Sequence, residues 1–314
     1  MYLNINRVEF VITNQCTGRC KHCSVGDKLD RHGHLEYQKL KGVLNRLCER
    51  FRISSVMCFG GEPLLYYNEV KGILAEAAVC GIAKRQVITN GFFTRDGNKI
   101  MAAVIALREA QVNDILVSLD AFHQGTIPIE PVYEFVRQLR ENSQIRIRLH
   151  PAWVVNKEHD NPYNIRTKQL LAEFLPLGLT ISEGNNIFPA GKALEFLSEY
   201  FPEPKVDFQF HCGDAPYSTD LANVNSISIS PLGEVYVCSF PIGNVYREDI
   251  DAILDRYQPY ENPSMRCLLT EGVQGLITYA KKQGVEIDLS KHHSACGVCK
   301  EIVDKTYIKQ PCCE

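Results

Sequence analysis

Val8-Glu9-Phe10-Val11-Ile12-Thr13, followed at once by Asn14-Gln15-Cys16-Thr17-Gly18-Arg19-Cys20-Lys21-His22-Cys23, decides how this chain is read. The first six residues are mostly apolar and predict a buried strand. The loop after them carries three cysteines in a C-x3-C-x2-C spacing. Three soft sulfur ligands on one short loop suit three corners of a [4Fe–4S] cube, with one iron left open. They also suit zinc if a fourth ligand joins them, and His22 or His32 would serve. Spacing alone leaves both metals open.

Outward from that loop the chain alternates strands and helices. Leu40, Val43, Leu44 and Leu47 predict one helix by their 3.6-residue spacing. Strands are expected at Ser55 to Phe59, Gln86 to Thr89, Ile115 to Leu119, Ile145 to Val155 and Leu179 to Ser182. Helical faces intervene: Val70, Ile73, Leu74 and Ala77; Ile100 to Leu107; Val132, Phe135, Val136 and Leu139; and Lys168 to Leu175. Such alternation implies a parallel sheet with right-handed crossovers. A full eight-unit barrel needs about 250 residues, and the rhythm stops near residue 190. The expected class is therefore α/β, a partial (β/α)6 TIM-like barrel over residues 1–195. Chemistry in such folds gathers at the carboxyl ends of the strands.

From Phe201 the pattern changes. Asn225 to Cys238 reads as two alternating strands around a Pro231-Leu232-Gly233 turn. A helix marked by Ile250, Ile253, Leu254 and Tyr257 follows, then an apolar segment from Leu268 to Ala280 and a cysteine-rich tail. Residues 196–314 are expected to form a smaller α+β domain.

The composition excludes several classes. Thirty-four Lys and Arg against 37 Asp and Glu give a net charge of −3, which carries no nucleic-acid footprint. No apolar run approaches the roughly 20 residues that span a bilayer, and the start lacks a signal-peptide layout, so a cytoplasmic location is expected. Thirteen cysteines in a chain without an export signal point to metal or redox chemistry rather than a disulfide scaffold.

The three-cysteine loop, placed directly after the first strand, resembles the signature of the radical S-adenosylmethionine (SAM) superfamily. The resemblance implies that Cys16, Cys20 and Cys23 hold a [4Fe–4S] cluster whose open iron chelates SAM. One-electron cleavage then gives a 5′-deoxyadenosyl radical that takes a hydrogen atom from the substrate. His22 stands where the family carries an aromatic beside the adenine. Phe59-Gly60-Gly61-Glu62-Pro63 is similar to the family's GGEP motif, which receives the SAM ammonium through glycine carbonyls and a carboxylate. Asn90, at the end of Ile88-Thr89-Asn90-Gly91, and Ser118 and Asp120, in Ser118-Leu119-Asp120, resemble positions that contact the ribose or methionine part. Their other reading is turn formation or helix capping. Arg148 and His150 share a strand face and are expected to meet the SAM carboxylate or the substrate.

Cys212, Cys238, Cys296 and Cys299 form a second set, with Cys296-Gly-Val-Cys299 a tight chelating pair. By spacing, four thiolates close a zinc site or fully ligate a cluster. In context the segment resembles the auxiliary-cluster domain called SPASM, or twitch when it holds one cluster. Phe188-Pro-Ala-Gly-Lys192 and Ile242-Gly-Asn-Val245 add to the likeness. Lys305 and Lys309 stand where a full SPASM pattern wants cysteines, so one auxiliary [4Fe–4S] cluster is expected.

Of the remaining cysteines, Cys48, Cys58 and Cys80 are expected to pack in the core. Cys267 is a candidate hydrogen-atom donor, and Cys312 and Cys313 have no assigned role. The expected activity is modification of a peptide, or alternatively oxidation of a small polar metabolite, with an electron donor such as flavodoxin or ferredoxin. Met1 lies close to the first strand, so no leader-binding domain is expected ahead of it, which weakens the peptide reading. Asp120-Ala-Phe-His123 and Val11-Ile-Thr-Asn-Gln-Cys16 also resemble small radical SAM proteins of mobile gene pairs. A non-catalytic zinc or iron–sulfur module is the reading from another class.

Overall fold

A computed structural model describes residues 2–26, 33–203, 206–208, 210, 212–213 and 218–308. The chain divides into two compact units. One comprises Arg7–Phe201 with Ile229–Gly233, the other Met1–Asn6, Pro202–Ser228 and Glu234–Glu314.

The larger unit is built on parallel strands. These are β1 (Leu3–Val11, here from Arg7), β2 (Ser55–Phe59), β3 (Lys84–Thr89), β4 (Asp114–Ser118) and β5 (Arg146–His150), with β6 (Ala152–Trp153) leading to β7 (Thr180–Ile181) and β8 (Asn185–Asn186). The order β1-β2-β3-β4-β5-β7 is parallel at every step. That is the expected six-strand partial barrel. Helices α1 (Tyr37–Leu40), α2 (Val43–Arg50), α3 (Tyr67–Val79), α4 (Gly97–Glu109), α5 (Ile129–Asn142), α6 (Pro162–Phe174) and α7 (Lys192–Phe196) connect the strands. All five residues of β4 are buried, the uninterrupted pattern of a strand covered on both faces.

Two expected elements are divided. The Leu40–Leu47 pattern is two helices, because Gly42 takes φ 93° and gives its N–H to Glu76 Oε1 instead of continuing a helical ladder. The Ile145–Val155 strand breaks at Pro151, which supplies no N–H to a ladder, so β6 pairs with β8 instead of extending β5.

The expected boundary at 195 lies at Phe201 in the structure. The reason is apolar packing. Ala193 and Leu197 are buried in a cluster with Phe122, Val154 and Ile187, and Tyr200 and Phe201 pack against it.

The barrel interior carries a polar layer at the amino-terminal side of the strands. Arg7 Nη1 donates to Ser55 Oγ, Gln86 Nε2 donates to Asp114 Oδ2 at 2.6 Å, and Arg146 and Arg148 both donate to Asp114 Oδ1. Burial pushes the Asp114 carboxyl up, but the hydrogen bonds from Arg148, Arg146 and Gln86 outweigh it and hold it below its ordinary value. The stabilisation this gives is present above the ordinary aspartate range and fades as the pH falls through the depressed value.

In the smaller unit, β9 (Val224–Ile229), β10 (Glu234–Val237) and β11 (Phe240–Asn244) are successive neighbours, and α8 (Ile250–Asp255), α9 (Pro263–Lys282) and α10 (Ala295–Ile308) follow. Asn262 caps α9 by accepting from the N–H groups of Ser264 and Met265. Among the described residues no helix is long and apolar enough to cross a membrane.

Candidate functional site

The three-cysteine loop leaves the carboxyl end of β1 and is fixed from several directions. Ile12 donates to Phe59 O, Gly61 N–H to Thr13 O at 2.7 Å, and Glu62 N–H to Gln15 O at 2.8 Å. Tyr66 Oη bonds Gln15 Oε1 at 3.0 Å, and the Tyr66 ring stacks on His34. Cys20 is buried and Cys23 partly buried against the Phe122–Val154–Ile187 cluster. The segment Gly60-Gly61-Glu62-Pro63 thus braces the cysteine loop through its backbone.

Gly61 is required by contact. A Cβ there would sit 2.1 Å from Gln15 O. Gly61→Ala must push the Gln15–Cys16 backbone aside, so iron uptake at this loop is expected to fall severalfold with the far-ultraviolet circular dichroism retained. Wild-type iron content in that variant would mean the brace is dispensable.

The thiols sense one another. Burial raises the Cys16 thiol, with Glu62 and Cys23 adding to the rise against the Gly18 N–H and Arg19. Burial likewise pushes Cys20 up to about 12, with Asp120, Cys16 and Cys23 adding and a bond with Thr126 opposing. Donors nevertheless point at one sulfur: Gly18 N–H and Asn90 Nδ2 approach Cys16 Sγ at 3.4 and 3.5 Å, while Thr126 Oγ1 lies 3.7 Å from Cys20 Sγ and also donates to His123 O. Neutral thiols gain little from such donors, whereas metal-bound thiolate sulfurs accept them well. The donor set therefore fits a thiolate-held iron–sulfur cluster. Cys20, His22 and His123 also bring ligand atoms within 4.8 Å of one another, the zinc-like alternative at this place.

Around the thiols stand the other residues expected from the sequence. The His22 ring lies 4.9 Å from both Phe122 and His123. Burial lowers it to about 4 against the pull of Asp120, with His123 lowering it further, and its Nδ1 is buried with no partner. Glu62 is fully buried. Its Oε1 accepts from Leu64 N–H and Thr89 Oγ1, and its Oε2 from Asn90 N–H at 2.8 Å. Burial pushes its carboxyl up to about 7 although these bonds oppose the rise. Ser118 pairs in register with His150, whose Nδ1 lies 2.8 Å from Ser182 Oγ.

Two expected contacts are engaged elsewhere. The Arg148 guanidinium is turned to Asp114 in the polar layer, away from the strand ends. Asp120 is wholly buried and accepts from the N–H groups of Phe122, His123 and Ala152 and from His123 Nδ1. Burial favours its neutral form, but His123 and His22 outweigh that and hold the carboxyl well below its ordinary range. Asp120 thus ties the turn after β4 to β6. His123, which sequence reasoning used only for resemblance, stands at the centre of this group. Its three-residue spacing from Asp120 was the available signal.

The second cysteine set converges within its own unit. Cys212, Cys238, Cys296 and Cys299 all line one cleft. Burial raises Cys212 to about 12, with Cys238 and Cys296 adding, and raises Cys299 well above its ordinary value, with Cys238, Cys212 and Cys296 adding. Cys238 occupies the two-residue turn between β10 and β11 at φ 53°, a conformation that side chains other than Gly, Asn and Asp rarely adopt. Cys296 sits on the first turn of α10 and Cys299 at the start of its second, and burial raises both thiols. Leu268 lines the cleft, while Cys267 beside it on α9 does not. Cys58 is fully buried as expected, but Cys48 and Cys80 are half-buried and hydrogen-bonded to each other. His32, Lys309, Cys312 and Cys313 lie outside the described residues.

A thiol-bearing loop at the mouth of a six-strand parallel half-barrel defines a class of enzyme that works at the ends of its first strands. Residues 10–162 match the model of the radical SAM superfamily. Over that stretch, just under half of its length, the chain is similar to the radical SAM superfamily, whose members use a [4Fe–4S] cluster and SAM. It is 25% identical over 224 residues to GTP 3′,8-cyclase of Moorella thermoacetica, covering 65% of this chain and 66% of that protein. It is 26% identical over 301 residues to GTP 3′,8-cyclase of Synechococcus elongatus, covering 85% and 88%. The chain thus spans just under two thirds of the length of the Moorella protein. Its fold is similar to that of SuiB of Streptococcus suis bound to SAM, with TM-score 0.51, 12% identity, and 93% and 77% of the two chains covered.

Proposed function

We propose that this radical SAM enzyme holds its SAM-cleaving cluster on Cys16, Cys20 and Cys23, and a second, fully ligated [4Fe–4S] cluster on Cys212, Cys238, Cys296 and Cys299. Cys16, Cys20 and Cys23 would hold a cluster that, with a flavodoxin- or ferredoxin-type donor, would supply the electron for SAM cleavage, and Cys212, Cys238, Cys296 and Cys299 would hold one able to take an electron from the substrate in a net oxidation. His22, Gly60, Gly61, Glu62 and Ser118 border the SAM site in this reading. The observation that carries it is the convergence of four thiols on one cleft, with Cys238 held in a strained turn. Four thiolates leave no iron open, which suits electron transfer better than substrate binding.

The proposed substrate is a peptide side chain. A nucleotide is the second reading, favoured by the activity named for the two cyclases. Against it, three arginines of the barrel strands are engaged by carboxylates: Arg7 by Glu9, and Arg146 and Arg148 by Asp114. A triphosphate needs such cations free. The test is anaerobic turnover with SAM and dithionite, with GTP in one arm and a peptide extract of the host in the other. The account expects no GTP-dependent product and a peptide that has lost two hydrogens. A cyclised GTP product would overturn the peptide reading.

A further inference from the structure

Asn90 was expected to touch SAM, and its surroundings give it another task. Its Oδ1 accepts the Phe92 N–H at 2.8 Å, which fixes the orientation of the amide. Its Nδ2 then faces two groups, Thr17 Oγ1 at 3.2 Å and Cys16 Sγ at 3.5 Å. The Thr17 hydroxyl donates its own proton to Phe92 O at 2.6 Å, so Thr17 Oγ1 is an acceptor towards Asn90. One amide hydrogen serves Thr17, and the other is left for the sulfur. Both donors of the side chain are therefore engaged.

The backbone of Asn90 is held as firmly. Glu62 Oε2 accepts its N–H, and Glu62 Oε1 accepts the hydroxyl of Thr89 beside it. Asn90 is only 4% exposed, so the amide cannot swing to water. Glu62, Asn90 and Cys16 thus form a continuous chain in which a buried carboxylate sets the strand end and the strand end aims an N–H at a thiol.

Resting on the cluster assignment above, we propose that Asn90 is a positioning residue that donates its amide N–H to the Cys16 sulfur and raises the reduction potential of the cluster. The physical reason is charge. Reduction adds an electron to the cluster and its sulfurs, and a donor dipole aimed at a sulfur stabilises the more negative state. Glu62 acts one step further out, by holding Asn90 in place.

The experiment is a redox titration of the anaerobically reconstituted full-length protein, followed by electron paramagnetic resonance. Only the signal that changes on adding SAM is counted, which separates this cluster from the second one. Asn90→Asp keeps the acceptor for Phe92 and removes the donor, and Asn90→Ala removes both. In each, the midpoint potential of the SAM-responsive signal is expected to move negative of wild type. An unchanged midpoint in either loaded variant overturns the proposal. The wild type supplies a readout that needs no variant to fold: with 15N in the asparagine side chains, pulsed resonance should show a nitrogen coupled to the reduced cluster. Its absence also overturns the proposal. A wild type that loads iron yet shows no SAM-responsive signal would instead bring down the cluster assignment itself.

Discussion

Cys20→Ala is expected to abolish 5′-deoxyadenosine formation. Cys20 is buried against the Phe122–Ile187 cluster and faces Thr126, so no neighbouring thiol can replace it without moving the loop. Losing one of three ligands leaves a site that cannot hold a cube with a single open iron. Cys16→Ala and Cys23→Ala should behave alike. The measurement is 5′-deoxyadenosine released per chain with SAM and dithionite, against a background set by dithionite alone. Cys20 and Cys23 pack in or against the apolar cluster, so each variant must first show wild-type far-ultraviolet circular dichroism. Release at the wild-type rate from any of the three would mean that radical generation lies elsewhere.

The paired variant Cys296→Ala, Cys299→Ala separates the roles of the two thiol sets. Both residues sit within the first two turns of α10 and line the cleft shared with Cys212 and Cys238. Wild type is expected to load about eight iron per chain and the pair about four, one cube fewer. Product formation should stop while 5′-deoxyadenosine is still released without being coupled to product. Metal sites supply folding energy, so the variant must first show native circular dichroism and the SAM-responsive signal. A variant that passes both checks and releases no 5′-deoxyadenosine would place the second cluster in radical generation. Unchanged iron content would remove the second cluster altogether.

Legibility in the sequence followed the range of the interactions. The cysteine loop and the Gly60-Gly61 motif were readable because their spacing is local and each follows a strand, but that the glycine segment braces the loop shows only in the backbone bonds to Thr13 and Gln15. The six parallel strands were readable because buried strands and amphipathic helices alternate with different periods. Positions set by distant partners were not. Arg148 shares a face with His150 in sequence, but the residue that claims it, Asp114, is 34 positions away on β4. Asn90 stands at a strand end where a cofactor contact is expected, and only the fold reveals Cys16, 74 positions earlier, against its amide. Asp120 was read as facing a ligand, yet its oxygens go to backbone donors of its own turn and of β6. The break at Gly42 was hidden because apolar spacing continued across it while the backbone turned to Glu76. For the second set, spacing picked out the Cys296–Cys299 pair, but the shared cleft depends on a hairpin turn and a helix start far apart in the chain.

The most direct test of the central claim is 5′-deoxyadenosine formation by the wild-type protein. The purified chain is reconstituted anaerobically with iron and sulfide, freed of excess, and given SAM and dithionite. The account predicts a brown protein that converts SAM into methionine and 5′-deoxyadenosine in equal amounts, with more than one turnover per chain. A protein that carries its full iron, binds SAM and still releases no 5′-deoxyadenosine would contradict it.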